Sequence, residues 1–406
     1  MPSPSSLRVS VTRLSSGGRS PCSWQVADLA DIFTGRLISE IPQALTALCN
    51  SLAESTSLET LDLSDNAFGG RCAEPIVPFL TTNLSFKHFI LNNNGMGPTG
   101  GNIIAAALLQ SAENSAAKGQ ASALRTFVCG RNRLENGTCE LLSKALAAHG
   151  LLEVVRLPQN GIRMEGIARL SAGLAKNPNL RHLDLQDNTL TLPGSRAVTA
   201  ALPSWPGLTE LNLSDCLLSR KGGILLATAL LDGSSPKLET LRLQYGEMDR
   251  RSFELLAKAI KAHGSALTTL ELNGNVVDAE DDTVEQIRAA LEGHGNAEAL
   301  DERASLRWPS RPSRRHSQRA DIDSRSLAVD DMEEDEGEED EDEDEEAAAE
   351  SDDDQDETAA PASKTAAVAP APAASSSEED KPAGVLDMSI DAMADALAGM
   401  TVNKSA

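Results

Sequence analysis

One short apolar pattern, LxxLxL followed by a polar pair, recurs along the chain and constrains its fold more than any other feature. Eight copies begin at positions 58, 86, 124, 152, 180, 208, 238 and 267. Their starts lie 28 to 30 residues apart, except for one interval of 38 residues that contains a polar insertion around Asn114 to Ser122. Self-similarity with such a period predicts a solenoid, in which each repeat buries its apolar side chains against its neighbours.

Each copy contains the two elements of one repeat. The alternating stretch predicts a strand, with Leu183 and Leu185 of one copy entering the core and Asp184 pointing outward. A helical pattern such as GIARLSAGLAKN follows, with apolar residues at spacings of three and four. Parallel strands joined by helices form an α/β horseshoe, so the predicted fold class is a leucine-rich-repeat solenoid with its strands on the concave face.

Two polar positions follow each predicted strand. The second is usually an asparagine, and we expect it to turn inward and satisfy buried backbone groups of neighbouring turns. These ladder asparagines are Asn66, Asn94, Asn132, Asn160, Asn188 and Asn275. The position before them is polar and varied, so we expect it to project from the rim of the sheet. This rim row consists of Asp65, Asn93, Arg131, Gln159, Asp187, Asp215, Tyr245 and Gly274.

The net charge of −25 is concentrated in one C-terminal segment. Residues 330–357 contain 21 Asp and Glu and no Lys or Arg, which leaves a charge of about −4 for the rest of the chain. Such a segment cannot offset its chain entropy with apolar burial, so we expect an extended tail. It would either attract the basic patches of a partner or act as a solubility device, and we favour the first.

The repeats and the charge together divide the chain into six segments. Residues 384–406 carry apolar side chains at helical spacing after Ser389, which favours a short amphipathic helix that docks on a partner. The predicted segments are 1–26, irregular; 27–302, the leucine-rich-repeat domain; 303–329, a basic linker; 330–357, the acidic tail; 358–383, an Ala/Pro/Ser linker; and 384–406, the C-terminal helix.

Several function classes find no support in the sequence. No apolar run reaches the roughly 18 residues of a membrane span, and the N-terminus lacks an apolar signal region, so we expect a soluble cytoplasmic protein. The six cysteines form no CxxC pair and are expected to be reduced, buried thiols. The chain contains no GxxxxGK[ST], HExxH or GxSxG motif, so we expect neither a nucleotide site nor a metal site of its own.

The motifs ADIFTGRL, LSDNAFG, NNNGMGP, CGRNRLENG, QNGIR and LDLQDNT together resemble the Ran GTPase-activating proteins of the fungal type. The resemblance runs from about residue 27 to residue 301 and resumes in the acidic tail. It implies a protein that binds GTP-loaded Ran and stimulates hydrolysis of the GTP, in support of nucleocytoplasmic transport. It also implies a protein of the cytoplasm or the nuclear periphery with no cofactor of its own, because the partner carries GTP and magnesium; we expect a monomer. A Ran-binding protein is a further candidate partner, and nucleic acid is not.

The resemblance also implies roles for individual residues. Asn93 of NNNGMGP matches the asparagine that contacts the catalytic glutamine of the GTPase. Arg36 of FTGR matches an arginine that we assign to docking, although hydrolysis can also be helped by an arginine finger. Asp187 of LDLQDNT matches an interface carboxylate that could pair with a basic residue.

Four further residues complete the predicted site. Asp65 and Asp215, from the rim row, join Arg131 and Arg163 as candidate partner-binding residues. For Arg131, Arg163 and the neighbouring Arg133, contact with an acidic region of the partner and simple solvent exposure are left equally open. The alternative function is a non-catalytic leucine-rich-repeat scaffold or an acidic protein of the histone chaperone kind, which would not require FTGR together with NNNGMGP.

Overall fold

The computed structural model describes residues 25–37 and 39–301, which form a repeat domain built on one parallel sheet. Its nine strands lie in the order of the sequence, and each pairs with the next. Equivalent positions of successive repeats are in register, as for Leu61 and Phe89. The strands are β1 Val26–Asp28, β2 Thr60–Asp62, β3 His88–Ile90, β4 Thr126–Val128, β5 Val154–Arg156, β6 His182–Asp184, β7 Glu210–Asn212, β8 Thr240–Arg242 and β9 Thr269–Glu271.

A layer of helices connects the strands, and each helix packs against the next one along the chain. The α-helices are α1 Ile41–Ala53, α2 Val77–Thr82, α3 Gly97–Ala117, α4 Glu135–His149, α5 Met164–Leu174, α6 Thr191–Ala201, α7 Ser219–Leu231, α8 Arg250–His263 and α9 Asp282–Glu292. This alternation confirms the predicted α/β leucine-rich-repeat fold. Strand β1 begins at Val26, one residue inside the segment predicted to be irregular. The predicted linkers, tail and C-terminal helix lie outside the described residues.

Two repeats depart from the predicted pattern. After β2 the chain forms two 3-10 turns and then only six residues of helix, since Pro75 and Pro78 lack the amide hydrogen that a continuous helix needs. The insertion expected as a polar segment after β3 instead lengthens α3 to 21 residues. Its first residues are helical: Asn114 donates to the Thr81 carbonyl at 2.9 Å, and Ser115 is buried.

The core lies between the sheet and the helices. The strand leucines that were predicted to enter it, Leu183 and Leu185, are at most 1% exposed. A row of phenylalanines runs through the N-terminal repeats, with Phe89 and Phe127 stacked at 6.1 Å between ring centroids. Trp205 is fully buried, and its indole nitrogen donates to the Leu174 carbonyl at 3.0 Å. Buried aromatic rings of this size contribute strongly to the stability of the solenoid.

The ladder asparagines turn inward, as predicted. Asn188 is typical: its amide donates to the carbonyls of Leu157 at 3.0 Å and Leu185 at 2.8 Å. Its side-chain oxygen accepts from the backbone nitrogens of Asn160 at 3.3 Å and Ile162 at 3.0 Å. Each side chain therefore joins two turns, which fixes the edge of the sheet. Cys216 occupies the next ladder position, and its thiol donates to the Leu185 carbonyl at 3.2 Å.

We expect Cys216→Asn to stabilise the domain by about 1 kcal/mol, because a carboxamide forms stronger hydrogen bonds than a thiol at a ladder position. Thermal and urea unfolding would measure the change. Asn188→Cys, the reverse exchange one repeat earlier, is the matched control and should destabilise. A Cys216→Asn protein that unfolds below the wild type would contradict the expectation.

All five cysteines within the described residues are free and buried, which agrees with the predicted structural role. Burial raises the pKa of Cys49, Cys129, Cys139 and Cys216 to about 12. A thiol reacts as its thiolate, so these four side chains are chemically inert near neutral pH.

His149, at the end of α4, makes the stability of the helix layer sensitive to acid. It is 3% exposed, its Nδ1 lies 2.6 Å from the Ser122 hydroxyl, and burial lowers its pKa from 6.5 to about 4. Since the folded pKa is depressed, the unfolded chain binds the proton more readily between these values. The neutral imidazole therefore costs the folded state nothing above pH 6.5, and stability is lost as the pH falls from there towards 4.

We expect the wild type to lose about 2 kcal/mol of unfolding free energy through His149 between pH 8 and pH 5. His149→Gln cannot titrate, so its pH dependence should be shallower by that amount. Urea unfolding at several pH values would measure the difference. Equal slopes for wild type and His149→Gln would contradict the expected effect.

Candidate functional site

The rim row lies at the edge of the sheet where the strands end, and all its residues adopt the left-handed conformation. Their φ angles are 60° at Asp65, 53° at Asn93, 56° at Arg131, 54° at Gln159, 54° at Asp187, 56° at Asp215, 53° at Tyr245 and 77° at Gly274. Asn and Asp tolerate this region, whereas other side chains cost about 1–2 kcal/mol there. The local backbone thus accounts for Asn and Asp in the row, but not for Arg131, Gln159 or Tyr245, whose side chains are better candidates for selection by function.

Backbone hydrogen bonds hold the rim residues from Asp65 to Tyr245 to the following repeat. The amide of Asp65 donates to the Asn92 carbonyl, that of Asn93 to the Gly130 carbonyl and that of Arg131 to the Pro158 carbonyl, all at 2.9 Å. The ladder asparagines point inward and hydrogen-bond the same turns from the core side. The rim is consequently a preorganised row of side chains, one per repeat, with little freedom in its backbone.

Only one of the three asparagines in NNNGMGP projects to solvent. The Asn92 side chain accepts from the Gly130 backbone nitrogen at 2.7 Å, and Asn94 is a buried ladder residue. Asn93 is exposed, and its amide nitrogen donates to Asp65 Oδ1 at 2.9 Å. Asn92 is half-buried, so the predicted catalytic residue is the most exposed of the three asparagines.

The acidic part of the rim lies three and four repeats after Asn93. Asp215 is exposed and Asp187 is half-buried. Burial raises the pKa of Asp187, the nearby Asp215 carboxylate raises it further, and a hydrogen bond from Gln159 opposes both effects. A cation brought by a partner would relieve the repulsion between the two carboxylates, which suits them to bind a lysine or arginine.

The predicted basic residues lie on the same edge. Arg131, Arg133 and Arg163 are exposed, and the amide of Arg163, just before α5, donates to Asn136 Oδ1 at 2.8 Å. Within the described residues none of these three guanidinium groups forms an ion pair with another side chain. Their charge is thus available to an acidic partner.

Arg36 lies in the turn that follows β1, two repeats before Asn93. It is exposed, and its amide donates to the Phe33 carbonyl at 3.1 Å. The ladder residue Asn66 holds this turn, since its oxygen accepts from the backbone of Ile32 at 2.9 Å and Phe33 at 3.0 Å. Arg36 therefore belongs to the same edge as the rim row, at its N-terminal end.

The outward-facing side chains of the strands, which were predicted to point away from the core, include charged groups that are paired and covered. Asp184 does lie on this face, but it is 3% exposed, because Arg156 covers it and donates to it at 3.2 Å. Arg242 likewise lies between the carboxylates of Glu210 and Glu271. Sequence reasoning missed these pairs, although the signal was present: Arg156 and Asp184, like Arg242 and Glu271, occupy the same position in adjacent repeats and so meet across paired strands. Both arginines therefore form ion pairs within the domain.

Two properties of the described part of the chain bear on other classes of function. No group of three or more His, Cys, Asp or Glu side chains there is arranged to hold a metal ion. None of the described helices combines the length and the apolar character that crossing a bilayer requires.

A comparison with known proteins places the chain in a class of repeat proteins. A family profile described as Leucine Rich repeat matches residues 54–77 and 176–198. With nine parallel strands, a helix layer and an asparagine ladder, the chain is a leucine-rich-repeat protein.

The relatives identify the family within that class. The chain is 37% identical over 270 residues to Ran GTPase-activating protein 1 of Saccharomyces cerevisiae, covering 65% of this chain and 66% of that protein. It is 45% identical over 148 residues to Ran GTPase-activating protein 2 of Caenorhabditis elegans, covering 36% of this chain and 15% of that protein. It is also 45% identical over 144 residues to Ran GTPase-activating protein 1 of Xenopus laevis, covering 35% of this chain and 24% of that protein.

The chain belongs to the family of Ran GTPase-activating proteins, as its motifs predicted. It spans about two thirds of the yeast relative and a quarter or less of the two animal proteins. These relatives do not favour the alternative of a non-catalytic scaffold or an acidic chaperone.

Proposed function

We propose that this chain is a GTPase activator that binds GTP-loaded Ran along its rim row and accelerates hydrolysis of the bound GTP. The observation that carries the proposal is its 37% identity over 270 residues, or 65% of this chain, to a yeast protein named for this activity. The exposed and fixed position of Asn93 supports it independently of that name.

In the proposed mechanism Asn93 acts on the partner and not on the nucleotide. GTP hydrolysis requires an oriented water molecule, which a glutamine of the GTPase positions. An asparagine carboxamide offers both a donor and an acceptor and can hold a glutamine amide in one orientation. Because the rim backbone is already fixed, little freedom is lost when this contact forms. The partner supplies GTP and magnesium, and this chain needs no nucleotide site of its own.

The remaining predicted residues would provide docking. Arg36, Arg131 and Arg163 would meet acidic groups of the partner, and Asp187 and Asp215 would meet basic ones. Complementary charges of this kind speed the encounter and fix the register of the two surfaces. The function would support nucleocytoplasmic transport by a monomer in the cytoplasm or near the nucleus, with a Ran-binding protein as a further candidate partner.

The test is phosphate release from GTP-loaded Ran with a substoichiometric amount of this protein. An activator turns over, so we expect many equivalents of phosphate per equivalent of protein, at a rate far above the intrinsic one. A small GTPase other than Ran is the control and should show no stimulation. Binding to Ran without any acceleration would make the chain a scaffold and refute the proposal.

A further inference from the structure

The contact between Asp65 and Asn93 gives Asp65 a role that differs from the docking role predicted for it. The two residues occupy the same position in adjacent repeats, 28 residues apart, and the strands before them pair in register. Paired strands lie about 4.8 Å apart, so equivalent side chains stand side by side. Both backbones are left-handed and hydrogen-bonded to the next repeat, which fixes the direction of both side chains.

The chemistry of the pair determines the orientation of the carboxamide. An ionised carboxylate only accepts hydrogen bonds, so the Asn93 group facing Asp65 Oδ1 at 2.9 Å is its NH2 and not its oxygen. The oxygen of Asn93 and its second N–H then point away from Asp65. Without the carboxylate the amide could rotate by 180° at little cost, because its two ends are nearly the same size.

We propose that Asp65 is a positioning residue, which holds the Asn93 carboxamide with its oxygen presented to the partner. This inference rests on the proposed function, in which Asn93 contacts a glutamine amide of the GTPase. A glutamine NH2 requires an acceptor, and the held carboxamide offers one. Asp65 thereby acts on the chemical step through Asn93 and has little influence on binding of the partner.

A double-mutant cycle with single-turnover hydrolysis tests this role. Asp65→Ala should lower the rate at saturating protein by about three- to tenfold, the range expected for one hydrogen bond at an exposed position, with little change in KM. Asp65→Asn tolerates the left-handed turn, but its carboxamide can donate as well as accept and so no longer fixes the orientation of Asn93; it should restore only part of the rate. In an Asn93→Ala background, Asp65→Ala should have no further effect on the saturated rate.

Other outcomes of the cycle would overturn the proposal. If Asp65→Ala raised KM alone, or lowered the rate equally with and without Asn93, Asp65 would be a docking or structural residue. Glu247→Ala is the matched control, because Glu247 is also an exposed acid in a left-handed turn, with φ of 56°, in a different repeat. It should retain the wild-type rate and KM, and thermal unfolding should confirm that all variants are folded.

A second measurement needs no partner and separates failure of this inference from failure of the proposed function. The side-chain amide signals of Asn93, identified in an NMR spectrum by their absence in Asn93→Ala, should shift in Asp65→Ala relative to the wild type, because the hydrogen bond to Oδ1 is lost. Glu247→Ala is the control and should leave them in place. Signals that are the same in the wild type and in Asp65→Ala would overturn the inference, even if the chain activates Ran.

Discussion

Replacing Asn93 by alanine is expected to lower the stimulated rate of GTP hydrolysis at saturation by about 10²–10³, the effect of removing one preorganised hydrogen-bonding group from a reacting centre. The change removes the only side chain of the NNNGMGP motif that is both exposed and free of a backbone partner. Single-turnover phosphate release from GTP-loaded Ran would measure the loss. Binding to Ran should persist, because the docking residues are unchanged.

The control for this prediction must separate loss of the Asn93 side chain from strain in the backbone of its turn. Alanine at a φ of 53° carries about 1 kcal/mol of strain, whereas glycine carries none. Asn93→Gly should thus unfold at or near the wild-type temperature and lose the same large factor in rate. If either variant kept nearly the wild-type rate with bound Ran, Asn93 would not be the group that acts on the GTPase.

The sequence predicted the repeat architecture well because the architecture is periodic. A spacing of 28 residues between LxxLxL copies places equivalent side chains next to each other, so the in-register strands and the asparagine ladder follow from the period alone. Local exceptions are harder to predict. The short α2 depends on Pro75 and Pro78, whose positions were visible in the sequence. The first residues of the insertion after β3 extend α3, because Asn114 bonds to the Thr81 carbonyl and Ser115 is buried.

The candidate site was predictable as a row of positions but not as a set of contacts. Side-chain variety marked the rim row, and the family motifs selected Asn93 and Asp187 within it and Arg36 beside it. The burial of Asp184 beneath Arg156 and the bond from Asn93 to Asp65 were not predicted. Both depend on cross-strand neighbours, and the second also depends on left-handed turns that no single repeat reveals. The rim as a contact surface for Ran stays a prediction.

Arg36→Ala is expected to raise the KM for GTP-loaded Ran by about 30- to 100-fold, as for an arginine central to an interface, and to leave the rate at saturation nearly intact. A residue that only docks stabilises the ground-state complex and the transition state equally, so its loss appears in KM. Arg36 is exposed at the end of the rim, two repeats before Asn93, which suits contact with the body of the partner. Single-turnover rates over a range of protein concentrations would give both constants.

An arginine finger would give the opposite result. Such a residue neutralises charge that develops only as the phosphoryl group transfers, so its removal lowers the saturated rate by roughly 10³ or more. Arg36→Lys sharpens the comparison: a lysine keeps the charge needed for docking but lacks the planar fork of the guanidinium group. We expect the KM of Arg36→Lys to lie between those of the wild type and Arg36→Ala. Because Arg36 lies in the first repeat, unfolding temperatures must match before the rates are compared. With stability unchanged, a collapse of the saturated rate in Arg36→Ala would make Arg36 a catalytic residue, and the task of stabilising the transition state would pass from Ran to this chain.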